Sequence, residues 1–485
     1  MSEGGRQIRV GTKLAFGIGQ LAEGIKNYGL STFLLLYYNQ VLGMSGSLAG
    51  LAIFVALLFD AVSDPVAGSV SDNWSSRWGR RHPFMYASAL PLALGFYLLF
   101  APPAGLGDLG LFVWLTLFLV ITRGAMTLYH VPHLALGAEL SDDYEERTSI
   151  VAWRTVFGVL GQMVMVIVAF SFFFVDTPEF AGTLVAAAYP PFALTCGVLM
   201  ALTIWGSALG THDQIPYLKP VAVAPGRLSL RGVLIRVFRD LAEAVRSASF
   251  RWLFAGVLIV FVMVGVQSAL NLYMGNYFWE LDSGELRWLT LAAPVGFLLG
   301  APFAQALNRR FDKKPSLVLG TAWYAVFQLS PPVLRLIGLF PGNDHTLLLP
   351  LLVGMSVAGG VGVVQGIVSA GSMMADIADE HELITHRRQE GIFFGALAFS
   401  GKGASGLGNL VGGVGIDLIA FPIGAVPGEV DPAVLVRLGL LYGPVVMGFA
   451  AAAVWCYAHC GLTRDRHREV LAELARRRNP DPLGD

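Results

Sequence analysis

The chain has 485 residues, of which 55% are hydrophobic and only 14% are charged, and its mean hydropathy is +0.61. This composition excludes a soluble protein of several domains, because apolar runs recur along the chain and a run of about 18 residues can cross a bilayer as a helix. The formal net charge of −1 identifies no partner, since the charges are segregated between loops. The class indicated is a polytopic helical membrane protein.

The apolar runs predict twelve membrane-spanning helices in two sets of six. In chain order they cover 14–41, 47–71, 84–101, 110–136, 151–175, 184–209, 251–279, 288–308, 316–334, 346–374, 392–420 and 433–460. The fold class predicted is therefore all-α, with two six-helix bundles. The predicted domains are an N-terminal bundle (1–209), a cytoplasmic linker with an amphipathic helix (210–250), a C-terminal bundle (251–460) and a cytoplasmic tail (461–485).

The distribution of positive charge predicts the orientation. Of the 33 Lys and Arg residues, 26 fall in the termini, in the linker and in the turns that share one side of the membrane with them, and only 3 fall in loops on the other side. Because cytoplasmic loops carry an excess of Lys and Arg, we expect both termini in the cytoplasm of a plasma (inner) membrane protein. The start of the chain lacks the pattern of a cleavable signal peptide. Cys196, Cys456 and Cys460 lie in or beside apolar runs, so we expect packing residues.

The second predicted helix carries two carboxylates at membrane depth. Asp60 and Asp64 are four residues apart, so a helix places both on one face. Two ionised carboxylates on adjacent turns repel each other, and each is costly in a low dielectric. A bound cation or a shared proton relieves both problems, and oxygen ligands suit a hard cation such as Na⁺. The alternative is an acid pair held by Lys or Arg of a neighbouring helix, with no transported ion.

Four stretches carry a resemblance to a known family. They are Asp60-x₃-Asp64-Pro65-x₂-Gly68, the basic turn SRWGRR at 76–81, the run 131–148 with Trp153 and Arg154 after it, and the segments 376–382, 388–391 and 401–403, and the chain start at 13–19 agrees with them. In this order they resemble the glycoside–pentoside–hexuronide:cation symporters, the melibiose-permease-like family of the major facilitator superfamily. The resemblance covers nearly the whole chain. It implies a solute site near the membrane midplane between two six-helix halves.

The resemblance implies a cation site and a counter-charge. Asp60, Asp64 and Thr127 match the family's coupling-ion ligands, for H⁺ or for Na⁺, and Lys402 matches the lysine that balances the carboxylates when the cation is absent. The alternatives remain a Thr127 hydroxyl bonded to its own helix and a Lys402 side chain that extends to the membrane interface. Arg123 is also in a span, with no obvious local partner in the sequence.

The solute site is expected to differ from that of the family. In the family's best-known pattern two aspartates bind the sugar, and the matching positions of this chain are Gly24 and His130. Glu23 is next to the first of these positions. The candidate solute-binding residues are Glu23, Lys26, Tyr129, His130 and Arg154. Glu23 and Lys26 are one turn apart and could instead pair with each other, whereas His133 is expected to pack. We infer a different solute, with transport retained.

Charged residues at the cytoplasmic ends of helices are candidate gates. In the first half they are Arg77, Arg80, Arg81, Asp142 and Arg147, and in the second half Asp376 and Asp379, together with Arg387. We expect them to form clasps between helices that release as the halves move. Solvated loops that obey the positive-inside bias would explain the arginines equally well.

The predicted function is secondary active symport of a sugar, glycoside or related organic solute with H⁺ or Na⁺, by alternating access. The rival within transport is a carrier of an amphipathic or lysolipid-like solute on the same fold. A sensor is disfavoured because the charged residues are retained, and an enzyme because no nucleophile and base fall into a catalytic pattern. The expected partners are the solute, the coupling cation and the bilayer. Nucleic acid and cofactors are not expected, and the protein is predicted to be a monomer.

Overall fold

The computed structural model describes residues 8–178, 180–218, 244–385, 393, 395–397 and 400–478. Throughout these ranges the regular structure is helical, and ten helices are long and apolar enough to cross a membrane. The predicted all-α membrane fold is confirmed. Two predicted spans fall outside these ten: the first is divided at Gly19, and the eleventh begins among residues outside the described ranges.

Seven α-helices form the first half. They are α1 (Val10–Ile18), α2 (Gln20–Leu36), α3 (Gly46–Asp72), α4 (His82–Leu99), α5 (Asp108–Glu139), α6 (Tyr144–Val168) and α7 (Tyr189–Gly210). π-helical turns extend α2 over Tyr37–Val41 and α6 over Ala169–Phe173. Short 3-10 turns precede and follow α7 at Gly182–Leu184, Ala186–Ala188 and His212–Tyr217.

The second half begins with α8 and ends in a charged helix. Its helices are α8 (Ala248–Tyr273), α9 (Ser283–Arg310), α10 (Lys313–Leu336), α11 (Leu348–Thr385), α12 (Ser405–Leu418), α13 (Pro432–Leu440), α14 (Val446–His459) and α15 (Arg464–Arg478). π-helical turns lie at Met274–Phe278, Ser400–Ala404 and Leu441–Val445. The predicted tail therefore contains a helix, while the predicted amphipathic helix of the linker falls mostly on 219–243, outside the described residues.

Two helices are longer than the apolar runs predict. α6 begins at Tyr144 because Asp143 caps it, with Oδ1 accepting from the backbone N–H of Glu146 at 2.9 Å. Acidic residues in its first turn also favour the helix start. α11 continues past the predicted end at 374 to Thr385, which adds Asp376 and Asp379 to the helix. The predicted spans stop short of both polar helix ends, because hydropathy alone does not register a helix that continues beyond the apolar core.

The described chain forms two compact units whose limits differ from the predicted halves. The first unit comprises Met1–Leu228, Ser268–Leu291 and Asn409–Leu438, and the second comprises Ser229–Gln267, Ala292–Gly408 and Gly439–Asp485, in each case as far as those residues are described. Segments of the second half thus pack with the first half. The predicted division into domains stays a prediction. In the described chain the three cysteines are buried and free of disulfides.

Within the first unit, a carboxylate from the second half caps the start of α3. Asp417 accepts hydrogen bonds from the backbone N–H groups of Gly46, at 2.9 Å, and Ser47, at 2.7 Å. These are unpaired donors at a helix N-terminus, where negative charge is also favourable. A Cβ atom on Gly46 would meet the backbone of Gly413, so the helices can approach this closely only without side chains. The capped N-terminus fixes the helix that carries Asp60 and Asp64.

The other end of α3 is held to α5 through the basic turn. Oε1 of Glu139, the last residue of α5, lies 2.8 Å from Nη2 of Arg80 and 2.8 Å from Nη2 of Arg81. Arg81 is buried, and its Nη1 also donates to the Ser71 hydroxyl at 2.7 Å. The Arg81–Glu139 pair is largely shielded from water, and the other carboxylate that binds Arg81, that of Asp72, is exposed, so removal of Glu139 takes away the buried partner of a buried charge.

We expect Glu139→Gln to destabilise the protein by about 1–3 kcal/mol, because two guanidinium groups lose their shared carboxylate. The measurement is thermal unfolding of purified protein in detergent. The matched control is Asp142→Asn, which removes an equivalent charge from an exposed pair with Arg147 at 3.1 Å and should change stability by less than about 0.5 kcal/mol. Equal melting temperatures for Glu139→Gln and the unmodified protein would contradict this assignment.

Candidate functional site

The candidate cation site lies between α3 and α5, which face each other with two matched pairs of side chains. Asp60 on α3 meets Arg123 on α5, and Asp64, one turn further on, meets Thr127, one turn further on. Both pairs advance by four residues in the same direction, which shows that the two helices run parallel here with their turns in register. The structure thus brings together the three predicted cation ligands.

The Asp60–Arg123 ion pair is the most buried part of this site. Nη1 of Arg123 donates to Oδ2 of Asp60 at 2.7 Å, and the side chains are 10% and 3% exposed. The other carboxylate oxygen, Oδ1, is buried and has no hydrogen-bond partner among the described residues. A buried anionic oxygen without a donor is costly, so the position favours a cation or a proton beside it.

A neutral hydroxyl group contacts the second carboxylate. Oγ1 of Thr127 donates to Oδ1 of Asp64 at 2.8 Å, and Oγ of Ser63 lies 3.5 Å from the same hydroxyl. The hydroxyl of Thr127 therefore faces the carboxylate of the neighbouring helix, which is the arrangement that cation binding needs. Carboxylate and hydroxyl oxygens together are suited to a hard cation and also to a proton. The roles of Asp60, Asp64 and Thr127 in ion binding stay predictions.

A second polar cluster forms where α2, α5 and α6 meet. Nδ1 of His130 lies 3.0 Å from Oε2 of Glu23, and both side chains are partly exposed. Gln20, one turn before Glu23, donates to the same carboxylate oxygen, and Arg154 of α6 interacts electrostatically with Glu23. Three of the five predicted solute-binding residues, Glu23, His130 and Arg154, therefore share one cluster.

The glycine next to Glu23 marks a close crossing of α2 and α6. A Cβ atom on Gly24 would collide with the backbone oxygen of Gly158 and lie 3.0 Å from Cα of Gly161. A Cβ atom on Gly161 would in turn meet the backbone oxygen of Leu21. Gly24 stands where the resemblance places the first sugar-binding aspartate, and the backbone of α6 leaves no room there for any side chain. The nearest acidic residue is Glu23, and its carboxylate lies against His130.

Two aromatic residues of α5 are packed rather than exposed. Tyr129 and His133 have no exposed surface, and their rings stack at 5.0 Å between centroids. The ring of His133 also stacks on that of Phe16, with 4.1 Å between centroids. Nε2 of His133 forms a hydrogen bond with the backbone oxygen of Phe16 at 2.9 Å. The packing predicted for His133 is therefore observed. Tyr129 presents no surface to a solute in this structure, and its predicted role in binding remains untested.

The two candidate lysines lie in different units. Lys26 is buried on α2 in the first unit, one turn beyond Glu23. Lys402 lies in the second unit, half-buried, within the π-helical turn Ser400–Ala404. Such turns widen a helix locally and are frequent at functional sites. The counter-charge role of Lys402 and the solute-binding role of Lys26 stay predictions.

The candidate gating residues have local partners. In the first unit Arg80 and Arg81 bind Glu139, the exposed Arg77 lies against Trp78, and Arg147 pairs with Asp142 inside its own loop. In the second unit Nζ of Lys313 binds Asp376 at 2.7 Å, and Nε2 of His467 lies 3.0 Å from Asp379. Arg387 lies outside the described residues. Each of these contacts stays within one unit, and their role in gating stays a prediction.

Sequence reasoning missed three partners. The sequence analysis gives Arg123 no partner, whereas in the structure it pairs with Asp60. Arg123 and Thr127 are four residues apart, the same spacing as Asp60 and Asp64. Glu139 and the pair of Lys13 with Glu146, at 2.7 Å, join helix ends that are far apart in sequence. The repeated spacing of four residues is the sequence signal for the Arg123–Asp60 pair. The contacts of Glu139 and of Lys13 with Glu146 depend on how the helices pack and have no such local signal.

Comparison with known proteins assigns the family. The chain matches the family model described as MFS/sugar transport protein over residues 15–464. The chain therefore belongs to this family of the major facilitator superfamily. It is an integral membrane transporter and not an enzyme.

Three curated relatives match most of the chain. An uncharacterised symporter of Synechocystis sp. is 24% identical, covering 96% of this chain and 97% of the relative. The sodium-dependent lysophosphatidylcholine symporter 1 of Gallus gallus is 24% identical, covering 100% and 93%. The isoprimeverose transporter of Lactiplantibacillus pentosus is 21% identical, covering 83% and 79%.

Solved structures share the fold at low sequence identity. A bacterial homologue of the human drug peptide transporters has a TM-score of 0.62 at 15% identity, covering 97% of this chain and 99% of its own. The xylose transporter XylE from E. coli, in an inward-open conformation, has a TM-score of 0.59 at 13% identity, covering 95% and 98%. These likenesses establish the major facilitator fold.

Gly24→Ala should destabilise the protein by about 1–3 kcal/mol or more, because the new methyl group overlaps the backbone of α6. Thermal unfolding of the purified protein measures the change. Gly206→Ala, also in a spanning helix but with nothing within 4 Å of the new Cβ atom, should be neutral or slightly stabilising. If Gly24→Ala and Gly206→Ala melted alike, the close crossing of α2 and α6 would be wrong.

Proposed function

We propose that the protein is a cation-coupled symporter of an organic solute, which works by alternating access with H⁺ or Na⁺ as the coupling ion. The observation that carries the proposal is the pairing of Asp64 with Thr127 beside the buried carboxylate of Asp60. Buried carboxylates at membrane depth are expensive and therefore rare, and where they occur they usually mark the pathway of an ion or a substrate. The many relatives named as symporters support the same function. No cofactor is needed beyond the coupling ion.

In the proposed cycle the cation binds first at Asp60, Asp64 and Thr127 and raises the affinity for the solute. The linkage is reciprocal, so the solute raises the affinity for the cation by the same factor. When the cation is absent, Lys402 supplies the balancing charge. Loaded and empty carriers reorient, whereas carriers with only one ligand do so poorly.

The proposed solute is a sugar or glycoside. The cluster of Glu23, His130 and Arg154 offers both donors and acceptors, which suits a polyhydroxylated ligand. The family model for sugar transport and the relative named as an isoprimeverose transporter support this class. Because there is no room for an aspartate side chain at Gly24, the residues that bind the sugar must differ from those of the family pattern.

The alternative is a lysolipid-like solute. It is favoured by the full-length match to a relative named as a sodium-dependent lysophosphatidylcholine symporter, at 24% identity. In that case Arg154 would face the phosphate of a zwitterionic headgroup instead of sugar hydroxyls. We further propose a monomer in the plasma (inner) membrane with both termini in the cytoplasm, in line with the positive-inside bias.

We expect Asp64→Asn and Asp60→Asn each to abolish the dependence of solute affinity on the coupling cation, which typically amounts to a factor of about 5–150. The measurement is solute uptake into proteoliposomes with imposed Na⁺ or pH gradients. Asp108→Asn is the matched control, since it removes the same charge from the exposed start of α5. Unchanged coupling in Asp64→Asn would refute the cation site.

Thermal stability of the purified protein should identify the ligands. Sugars, glycosides and lysophosphatidylcholine are each tested at several pH values with and without Na⁺, because a ligand that binds the native state raises the melting temperature. Stabilisation by a sugar that depends on Na⁺ or on acid pH is the expected result. Stabilisation by the lysolipid alone would replace the sugar with the alternative solute.

A further inference from the structure

The helices α3 and α9 each bind, at their first turn, a carboxylate from the opposite predicted half. Oδ2 of Asp176 accepts a hydrogen bond from the backbone N–H of Ser283, the first residue of α9, at 2.7 Å. Its Oδ1 accepts from the hydroxyl of the same serine, also at 2.7 Å. Asp417 contacts α3 in the same way, since Oδ2 accepts from the backbone N–H of Ser47 at 2.7 Å and from its hydroxyl. All four residues lie in the first unit.

The two contacts occupy equivalent places in the two predicted six-helix halves. α3 and α9 correspond to the second predicted span of each half, whereas Asp176 follows the fifth span of the first half and Asp417 lies at the end of the fifth span of the second half. In the proposed topology these helix ends are on the outer side of the membrane, because an odd number of spans separates each of them from the cytoplasmic N-terminus. The halves are therefore joined at two equivalent points on the outer side.

Each of the two helices also has a cap of its own. The side chain of Ser45 accepts a hydrogen bond from the backbone N–H of Leu48 in α3, and Oδ1 of Asp282 accepts from that of Glu285 in α9 at 2.8 Å. Several N–H groups are unpaired at a helix start, so the carboxylate from the other half binds donors that the helix's own cap leaves free. Both helices therefore stay capped when the contacts with Asp176 and Asp417 break.

The exposure of the two carboxylates suits contacts that break and form again. Asp176 and Asp417 are exposed, in contrast to the largely buried carboxylate of Glu139 beyond the other end of α3. An exposed carboxylate is hydrated as soon as its donors leave, so separation strands no buried charge. Such a contact contributes modestly to the closed arrangement and can be broken without a large penalty.

We propose that Asp176 and Asp417 are a pair of latches that hold the outer ends of the two halves together and release when the carrier opens to the outside. The inference rests on the proposed alternating-access function and adds the groups that set the balance between its outward-closed and outward-open states. Contacts made in only one of two states shift the equilibrium by their own free energy. Because the two latches are separate in the structure, their effects on this equilibrium multiply.

The test measures how often the outer side opens, with a cysteine as the reporter. Thr183 has no exposed surface, and its hydroxyl donates to Oδ1 of Asn276, in the other predicted half, at 2.9 Å. In the full chain, Thr183→Cys should therefore react with a membrane-impermeant maleimide, added outside intact cells, only while the outer side is open. The rate of labelling then follows the population of the open state.

Asp176→Ala and Asp417→Ala should each raise the labelling rate about fivefold, which corresponds to the loss of one helix-capping contact, and the double variant about 25-fold. Asp417→Asn keeps an acceptor oxygen without the charge, so its rate should fall between those of the unmodified protein and Asp417→Ala. The matched control is Asp108→Ala, which removes a carboxylate from the exposed first turn of α5, at another outer helix end, and should leave the rate unchanged.

An unchanged rate in the double variant would overturn the proposal, and so would a reporter that stays unreactive in every variant. The same variants are also labelled without the reporter. Cys196, Cys456 and Cys460 are buried, so labelling of these native cysteines would show unfolding in place of opening and would equally count against the latches. The assay needs neither solute nor cation, so its outcome is distinct from the loss of coupling in Asp60→Asn and Asp64→Asn that tests the proposed function.

Discussion

The pairing of α3 with α5 is the constraint on which the candidate site depends. Two carboxylates one turn apart at membrane depth repel each other and resist burial, so the neighbouring helix must supply compatible partners at the same spacing. α5 does so with an arginine and a threonine four residues apart. The register is held at both ends of α3, by the Asp417 cap at its start and by the basic turn bound to Glu139 beyond its end. The positions of Asp60 and Asp64 therefore depend on the contacts at both ends of α3 as well as on their partners in α5.

The polar cluster of Glu23, His130 and Arg154 depends on a different constraint, the close approach of α2 to α6. Gly24 permits that approach and at the same time removes the side chain that the family pattern places there. The second departure from the pattern lies beside the first, because the imidazole of His130 lies against the carboxylate of Glu23, the residue next to Gly24. A carboxylate beside an imidazole, with an arginine near both, retains the capacity to bind a polar solute while changing where its hydrogen-bonding groups must lie.

The sequence allowed prediction of what depends on local pattern. Apolar length predicted the spans, and a spacing of four predicted that Asp60 and Asp64 share a face. Contacts that depend on helix register could not be read in this way, because the partner of Asp60 lies 63 residues further along the chain. α6 begins earlier than the apolar run predicts, because Asp143 caps a first turn that consists mostly of polar residues. The Asp417 cap of α3 could not be predicted either, because it comes from a segment far along the chain.

Charge balance connects the site to the energetics of transport. Moving one elementary charge across the membrane potential is worth about 2.3 kcal/mol per 100 mV, and an uncompensated charge at membrane depth adds a solvation penalty. The ion pair of Arg123 with Asp60 compensates one of the two carboxylates of α3 at membrane depth. In the proposed cycle the bound cation supplies further positive charge in the loaded carrier, and the ammonium group of Lys402 supplies it in the empty carrier.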